Sequence, residues 1–91
     1  MTQEMKVSRS RQAVFEALKI AAPGTFDAAL QRSFLAEGLD LKFADLNLDS
    51  LAEMEFCIAI ELSTGVTLLP SELAELSSTD AVELRIRQAL G

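Results

Sequence analysis

The sequence contains no histidine, tryptophan or tyrosine, and its only cysteine is Cys57. Without histidine, the chain can form neither a Ser-His or Cys-His nucleophile pair nor a metal site with imidazole ligands. A single cysteine allows no internal disulfide, which suits a reducing cytoplasm. We therefore expect a protein that is not an enzyme, with no catalytic residues and no metal site of its own.

Long apolar runs are also missing. The longest unbroken one covers residues 56–60, far short of the roughly 18 residues that a bilayer helix requires. The first residues lack the apolar segment of a secretory signal. At 91 residues, 49% of them hydrophobic, the chain can build one core and not two. We expect a single free-standing domain over residues 1–91, cytoplasmic, monomeric and without membrane contact.

Positive charge is absent from almost half of the chain. Residues 43–84 contain nine acidic and no basic residues, whereas residues 1–42 contain five acidic and six basic ones. A segment of this kind repels phosphate backbones, so we expect no nucleic-acid partner. It attracts basic protein surfaces instead. The alternative that the acidity only keeps a small protein in solution remains open here.

Apolar residues recur at helical intervals of three and four through most of the chain. The rows are Val14, Leu18, Ala21; Phe26, Leu30, Phe34; Leu51, Met54, Ile58, Leu62; Leu73, Leu76; and Val82, Ile86 with Ala89 or Leu90. Pro23-Gly24, Gly38 and Gly65 are predicted to end helices, whereas Thr25 or Asp27, Pro70-Ser71 and Ser78-Thr79-Asp80 are predicted to begin them. Residues 39–48 are predicted to be an irregular loop anchored by its Leu and Phe side chains.

The predicted fold class is all-α. We expect a small four-helix bundle of three longer helices and a short third helix, with an extra short helix in the first loop.

Ser50 stands where the longest helix is predicted to begin. An exposed serine hydroxyl there lies beside unpaired backbone N–H groups, which would favour a phosphodiester on that oxygen. Two other interpretations fit these residues. The first requires no ligand, and the second requires a calcium ion. Ser50 with Glu53 also fits a capping box, although Asp49 could cap the helix instead and leave Ser50 free. Asp45, Asn47 and Asp49 match the start of a calcium loop, but the later ligand positions hold unsuitable residues.

The same segment resembles the acyl carrier protein family, which includes the peptidyl carrier modules. The similarity rests on Phe43, Asp45-Leu46-Asn47 and Asp49-Ser50-Leu51 before an acidic helix, and later on the stretch from Thr64-Gly65 to Pro70 and on Ser78-Thr79-Asp80. The resemblance covers roughly residues 43–90. The first helix resembles that of the family only in its general character and not in specific residues.

The resemblance implies that Ser50 receives a 4′-phosphopantetheine arm from coenzyme A through a separate phosphopantetheinyl transferase. The thiol of the arm would carry an acyl or aminoacyl group as a thioester to partner enzymes, as in fatty acid or polyketide biosynthesis. Asp49 would help the transferase to recognise the site and to place its metal ion. Leu51 would pack against the partner.

The resemblance also implies residues for docking and for cargo. Glu53, Glu55 and Glu61 would dock the basic surfaces of loading and transfer enzymes, with a merely solvated helix face as the alternative. Phe56 and Ile60 match positions that border an acyl cavity, although such residues are also ordinary core. We expect Cys57 to be a small buried apolar residue and not a nucleophile.

Departures from the family pattern, among them the lack of a clear counterpart for residues 25–38, indicate a specialised carrier. Asn47 replaces a usual glycine, although asparagine also tolerates the left-handed conformation, and Ala52 stands where an acid is frequent. A function from another class stays open: a small acidic helical adaptor that binds a basic partner and carries no group. Only the fate of Ser50 separates the two hypotheses.

Overall fold

The computed structural model describes residues 8–91, which form an all-helical bundle. A single isolated β-bridge, between Lys42 and Ser78, is the only extended pairing in this part of the chain. The six helices are α1 (Arg9–Ala21), α2 (Ala28–Glu37), α3 (Phe43–Leu46), α4 (Ser50–Thr64), α5 (Pro70–Leu76) and α6 (Thr79–Leu90). The all-α prediction is therefore confirmed. Within residues 8–91, no helix has the length and the apolar character that crossing a membrane would demand.

The extra helix in the first loop is present as α2, and it begins at the second of its two predicted caps. The side chain of Asp27 accepts a hydrogen bond of 3.0 Å from the amide of Leu30, which satisfies one of the free N–H groups of the first turn. Gly38 ends the helix in the left-handed conformation, at φ 69°, which is accessible to glycine without strain.

The predicted loop over residues 39–48 is wrong in its centre, where Phe43–Leu46 forms the single helical turn α3. Phe43 and Leu46 are three residues apart, and a helical turn places both on one side, where both are buried. Asn47 then ends the turn in the left-handed conformation, at φ 55°. This position requires a residue that tolerates the left-handed conformation, and asparagine does, as expected from the sequence.

The last two helices begin where predicted, at Pro70 and after Ser78. Val82 and Ile86 face the core, but the expectation that Ala89 or Leu90 also points inward is wrong, because both are exposed. Near the end of α6, the side chain of Arg87 donates to the hydroxyl of Ser10 in the first turn of α1 at 3.5 Å.

Two groups of aromatic rings hold the bundle together. Phe15, Phe26 and Phe34 pack with centroid distances of 5.6 to 6.3 Å, with Phe26 edge to face against the other two rings, and fasten α2 to α1. Phe43 and Phe56 meet edge to face at 5.4 Å and fasten α3 to α4. Such pairs add to the free energy gained by removing the rings from water. The position of α3 on α4 is therefore set by packing.

Arg11 joins three parts of the chain near the start of α1. Its guanidinium stacks on the ring of Phe34 at 3.7 Å and donates hydrogen bonds to the carbonyl oxygens of Phe34 and Leu39. It also pairs with the carboxylate of Glu83 and lies 3.5 Å from that of Asp80. One side chain thus ties α2 and the following loop to α6.

Candidate functional site

The side chain of Ser50 is exposed at the first residue of α4, and the helix cap is made by its neighbour. Asp49 accepts a hydrogen bond of 2.8 Å from the amide of Ala52 through its side chain. Ser50 is therefore not the cap, and the capping-box interpretation with Glu53 is wrong. No hydrogen bond to the Ser50 hydroxyl is formed by residues 8–91. The oxygen is free to react with a reagent from outside.

The loop before Ser50 is anchored on both sides, which gives the hydroxyl a defined position. Leu46 is buried, Leu48 is half-buried, and the hydroxyl of Thr25 donates to the carbonyl oxygen of Leu46 at 3.4 Å. The left-handed turn at Asn47 directs the chain from α3 into α4. The site is thus a fixed corner between two helices.

The electrostatics at this corner are mixed. The amides of Ser50 and Leu51 point out of the first turn without intrahelical acceptors, and the helix dipole there favours an anion. Asp45 and Asp49 oppose it with negative charge nearby. The carboxylate of Asp49 already accepts the amide of Ala52, and residues 8–91 contain no group of three or more potential metal ligands. The first turn of α4 thus places two unpaired backbone donors next to two carboxylates.

An apolar row lies open on the outer face of α4. Leu51, Met54, Ile58 and Leu62 are between 50% and 82% exposed. The spacing of this row predicts the helix. The residues of α4 that are buried in the core are different ones, namely Phe56, Cys57 and Ile60. Helix α4 is therefore apolar on two faces, and only one of them is covered by residues 8–91.

The three acids predicted for docking do not share one surface. Glu55 lies four residues after Leu51 and three before Ile58, so it borders the open row, as does Glu61 three residues after Ile58. Both are exposed. Glu53 is half-buried and lines a cleft against α5. Glu55 and Glu61 thus flank the open row that begins at Leu51, on its two sides, whereas Glu53 lies away from the row.

Phe56 and Ile60 are fully buried core residues and line none of the described clefts. Two clefts lie at the corner that precedes α4: a half-open one of about 460 Å³ between α3 and α5, and one of about 220 Å³ between the end of α1 and the start of α4. The apolar residues that line the larger cleft include Phe43 and Leu73. Sequence reasoning missed this cleft, because it depends on how α3 and α5 are placed and neither helix alone has a distinctive pattern.

Cys57 is buried, as predicted. Burial, reinforced by the negative charges of Glu72 and Glu53, raises the pKa of its thiol to about 11. A thiol held in the protonated state is a poor nucleophile at neutral pH. The thiol of Cys57 is therefore unsuited to act as a nucleophile at neutral pH.

Comparison of the chain with protein-family models, with curated proteins and with solved structures finds no match.

Proposed function

We propose that this protein is a carrier that holds acyl or aminoacyl intermediates on a 4′-phosphopantetheine arm attached to Ser50. The observation that carries the proposal is a free, exposed serine hydroxyl at the start of α4, beside an aspartate that already makes the cap. If the oxygen of Ser50 accepted the capping hydrogen bond, that bond would compete with modification of the oxygen. Because Asp49 accepts it instead, this competition does not arise.

Modification requires an enzyme from outside, because no side chain of residues 8–91 forms a hydrogen bond with the Ser50 hydroxyl and could accept its proton. In the proposed reaction the serine oxygen attacks the phosphorus that bears the pantetheine of coenzyme A. A new P–O bond forms, the diphosphate linkage breaks, and adenosine 3′,5′-bisphosphate leaves, while the transferase accepts the serine proton. Asp49 adjoins the reacting oxygen and is placed to contact the transferase and its metal ion.

Partner enzymes would dock on the outer face of α4. The open row Leu51, Met54, Ile58 and Leu62 supplies apolar area, and Glu55 and Glu61 supply negative charge along its border. An apolar patch rimmed by charge of one sign is typical of a protein interaction site. The partner would present an apolar strip flanked by lysine or arginine. Loading and transfer enzymes of fatty acid or polyketide biosynthesis, with basic docking surfaces, meet this description.

The same face also supports the second candidate, an acidic helical adaptor that binds a basic partner and carries no group. The open row of α4 favours it as strongly as it favours the carrier. The two functions differ only in the chemistry at Ser50.

Intact mass measurement after incubation with coenzyme A and a promiscuous phosphopantetheinyl transferase separates the two functions. The carrier gains the mass of one phosphopantetheine group, and Ser50→Ala gains nothing. Ser71→Ala is the matched control, because Ser71 is also exposed in the first turn of a helix, and it should be modified like the parent. A gain that persists in Ser50→Ala, or no gain in the parent, overturns the carrier function and leaves the adaptor.

A further inference from the structure

The segment that leads into α3 is fastened to the junction between α5 and α6. The amide of Phe43 donates to the carbonyl oxygen of Ser77 at 3.0 Å, and the amide of Thr79 donates to the carbonyl oxygen of Leu41 at 2.9 Å. The isolated β-bridge lies between these two hydrogen bonds. Because the paired segments are distant in sequence, only the folded chain can form this pairing. The pairing, which we call the strap, comprises residues 40–43 and 77–80.

Thr79 holds the centre of the strap through its side chain as well as its backbone. Its hydroxyl accepts the amide of Leu41 at 2.9 Å and donates to the carboxylate of Asp40 at 3.3 Å. The same carboxylate oxygen of Asp40 accepts the amide of Asp80 at 2.9 Å, so the loop before α3 supplies a cap to the first turn of α6. Thr79 is fully buried. Its hydroxyl therefore donates and accepts inside the strap, away from water.

The strap also includes a backbone conformation that few residues other than glycine adopt. Ser77 ends α5 at φ 67°, in the left-handed region, where glycine is the usual residue. Strain of this kind persists only where the surrounding contacts fix the conformation. The carbonyl oxygen of Ser77 is the acceptor for the amide of Phe43. The local sequence therefore does not favour this junction, and the strap is one of the contacts that hold it.

The strap acts on the corner before α4 through α3. Helix α3 is a single turn of four residues, too short to be stable by itself, so both of its ends depend on tertiary contacts. At the far end, Leu46 is buried and Asn47 turns the chain toward Ser50. At the near end, Phe43 is held by the strap and by packing on Phe56. Without the strap, only the packing of these two rings would hold the start of the turn.

We propose that Thr79 is a positioning residue for the modification of Ser50. Through the strap it holds α3, and with it the loop that ends at Ser50, in the conformation that the transferase binds. This inference rests on the proposed carrier function. Because the side chain of Thr79 is fully buried, it acts through the backbone of the strap and touches neither the transferase nor coenzyme A.

Transferase kinetics on strap variants test this proposal. Thr79→Val removes the hydroxyl at nearly constant volume, so the amide of Leu41 and the carboxylate of Asp40 lose their partner. The corner then samples conformations that the transferase does not bind, which lowers the competent fraction. We expect the KM for the carrier to rise about three- to ten-fold, while kcat stays within about two-fold of the parent. Thr79→Ser keeps the hydroxyl and should restore the KM of the parent.

Asp40→Ala and Asp27→Ala form a matched pair. Each aspartate is exposed and accepts an amide from the first turn of a helix, Asp40 from Asp80 at 2.9 Å and Asp27 from Leu30 at 3.0 Å. Only Asp40 also belongs to the strap. Asp40→Ala should raise the KM, and combining it with Thr79→Val should add little, because both changes release one network. Asp27→Ala should lose similar stability and keep the KM of the parent.

Nuclear magnetic resonance provides a readout that does not depend on the transferase. In Thr79→Val and in Asp40→Ala, the amide resonances of Asn47 and Ser50 should shift or broaden, because α3 is released at its start. In Asp27→Ala they should stay where they are in the parent. Unchanged resonances in both strap variants would show that the strap does not reach the corner, and would overturn the proposal.

The outcomes distinguish this inference from the proposed function. If the transferase adds nothing to the parent, the carrier function fails and this inference fails with it. If the parent is modified but Thr79→Val keeps its KM, or Asp27→Ala raises the KM as much as Asp40→Ala, the carrier function stands and the positioning role of Thr79 is overturned. If Thr79→Val does not fold, Asp40→Ala, which changes an exposed side chain, decides the matter.

Discussion

Replacing Arg11 with alanine should destabilise the protein more than any surface substitution. The side chain of Arg11 is 12% exposed and that of Glu83 is 7% exposed, so the ion pair between them is largely shielded from water. Arg11 also donates to the carbonyl oxygen of Phe34 at 3.0 and 2.8 Å and to that of Leu39 at 2.6 Å. Its loss would leave a buried carboxylate with only Arg87, 3.8 Å away.

The magnitude follows from the charge that is left behind. Breaking a buried ion pair by removing one partner costs about 3–5 kcal/mol, because the other charge stays buried without compensation. Domains of this kind are stable by about 5–15 kcal/mol in all, so Arg11→Ala should lose a large share of the free energy of unfolding. Glu83→Gln should cost less, because Arg11 keeps its two carbonyl acceptors and Asp80.

The loss should depend on pH in a definite direction. Burial raises the pKa of Glu83 above its usual 4.5, and the charge and hydrogen bond of Arg11 counteract this rise. A raised pKa means that the folded state binds the proton more tightly than the unfolded state. The resulting stabilisation is full below the usual pKa and is lost as the pH rises through the folded-state pKa. Without Arg11 this pKa rises further, so Arg11→Ala should lose more stability as the pH rises.

Urea unfolding followed by circular dichroism, at several pH values between about 4 and 8, measures both effects. Arg32→Ala is the control, since Arg32 is an exposed cation of α2 without an ion pair among residues 8–91. The double variant with Glu83→Gln should recover part of the loss. A cost of Arg11→Ala below about 1 kcal/mol, typical of a surface pair, or a pH slope equal to that of the parent, would refute this reasoning.

Two further predictions concern helix α4. Charge reversal at Glu55 and Glu61 should slow transfer by a basic partner enzyme and reduce the salt dependence of the rate. The control Glu37→Lys on α2 should leave both the rate and its salt dependence unchanged. If the charge-reversal variants transfer as fast as the control and the parent, these acids only solvate the helix. Cys57 should resist iodoacetamide in the folded protein near neutral pH, because burial raises the pKa of its thiol to about 11, and should react quickly in urea; rapid alkylation without denaturant would contradict its burial.

The helix ends could be predicted because each depends on the chemistry of a few adjacent residues. Asp27 caps α2 with its own carboxylate, and Gly38 and Gly65 end their helices at positive φ. The turn at Phe43–Leu46 could not be predicted in this way. Its polar residues disfavour regular structure locally, and tertiary contacts stabilise it, above all the burial of Leu46 and of Phe43 against Phe56.

The candidate site also combines features that could be predicted from the sequence with features that could not. The sequence determined that Ser50 begins a helix and that an acidic segment follows, because capping and charge are properties of neighbouring residues. Which apolar row of α4 is covered was decided by the tertiary structure, since both rows have helical spacing and only packing against the other helices distinguishes Ile60 from Ile58. The cleft between α3 and α5 was decided there too, because its walls come from segments that are distant in sequence.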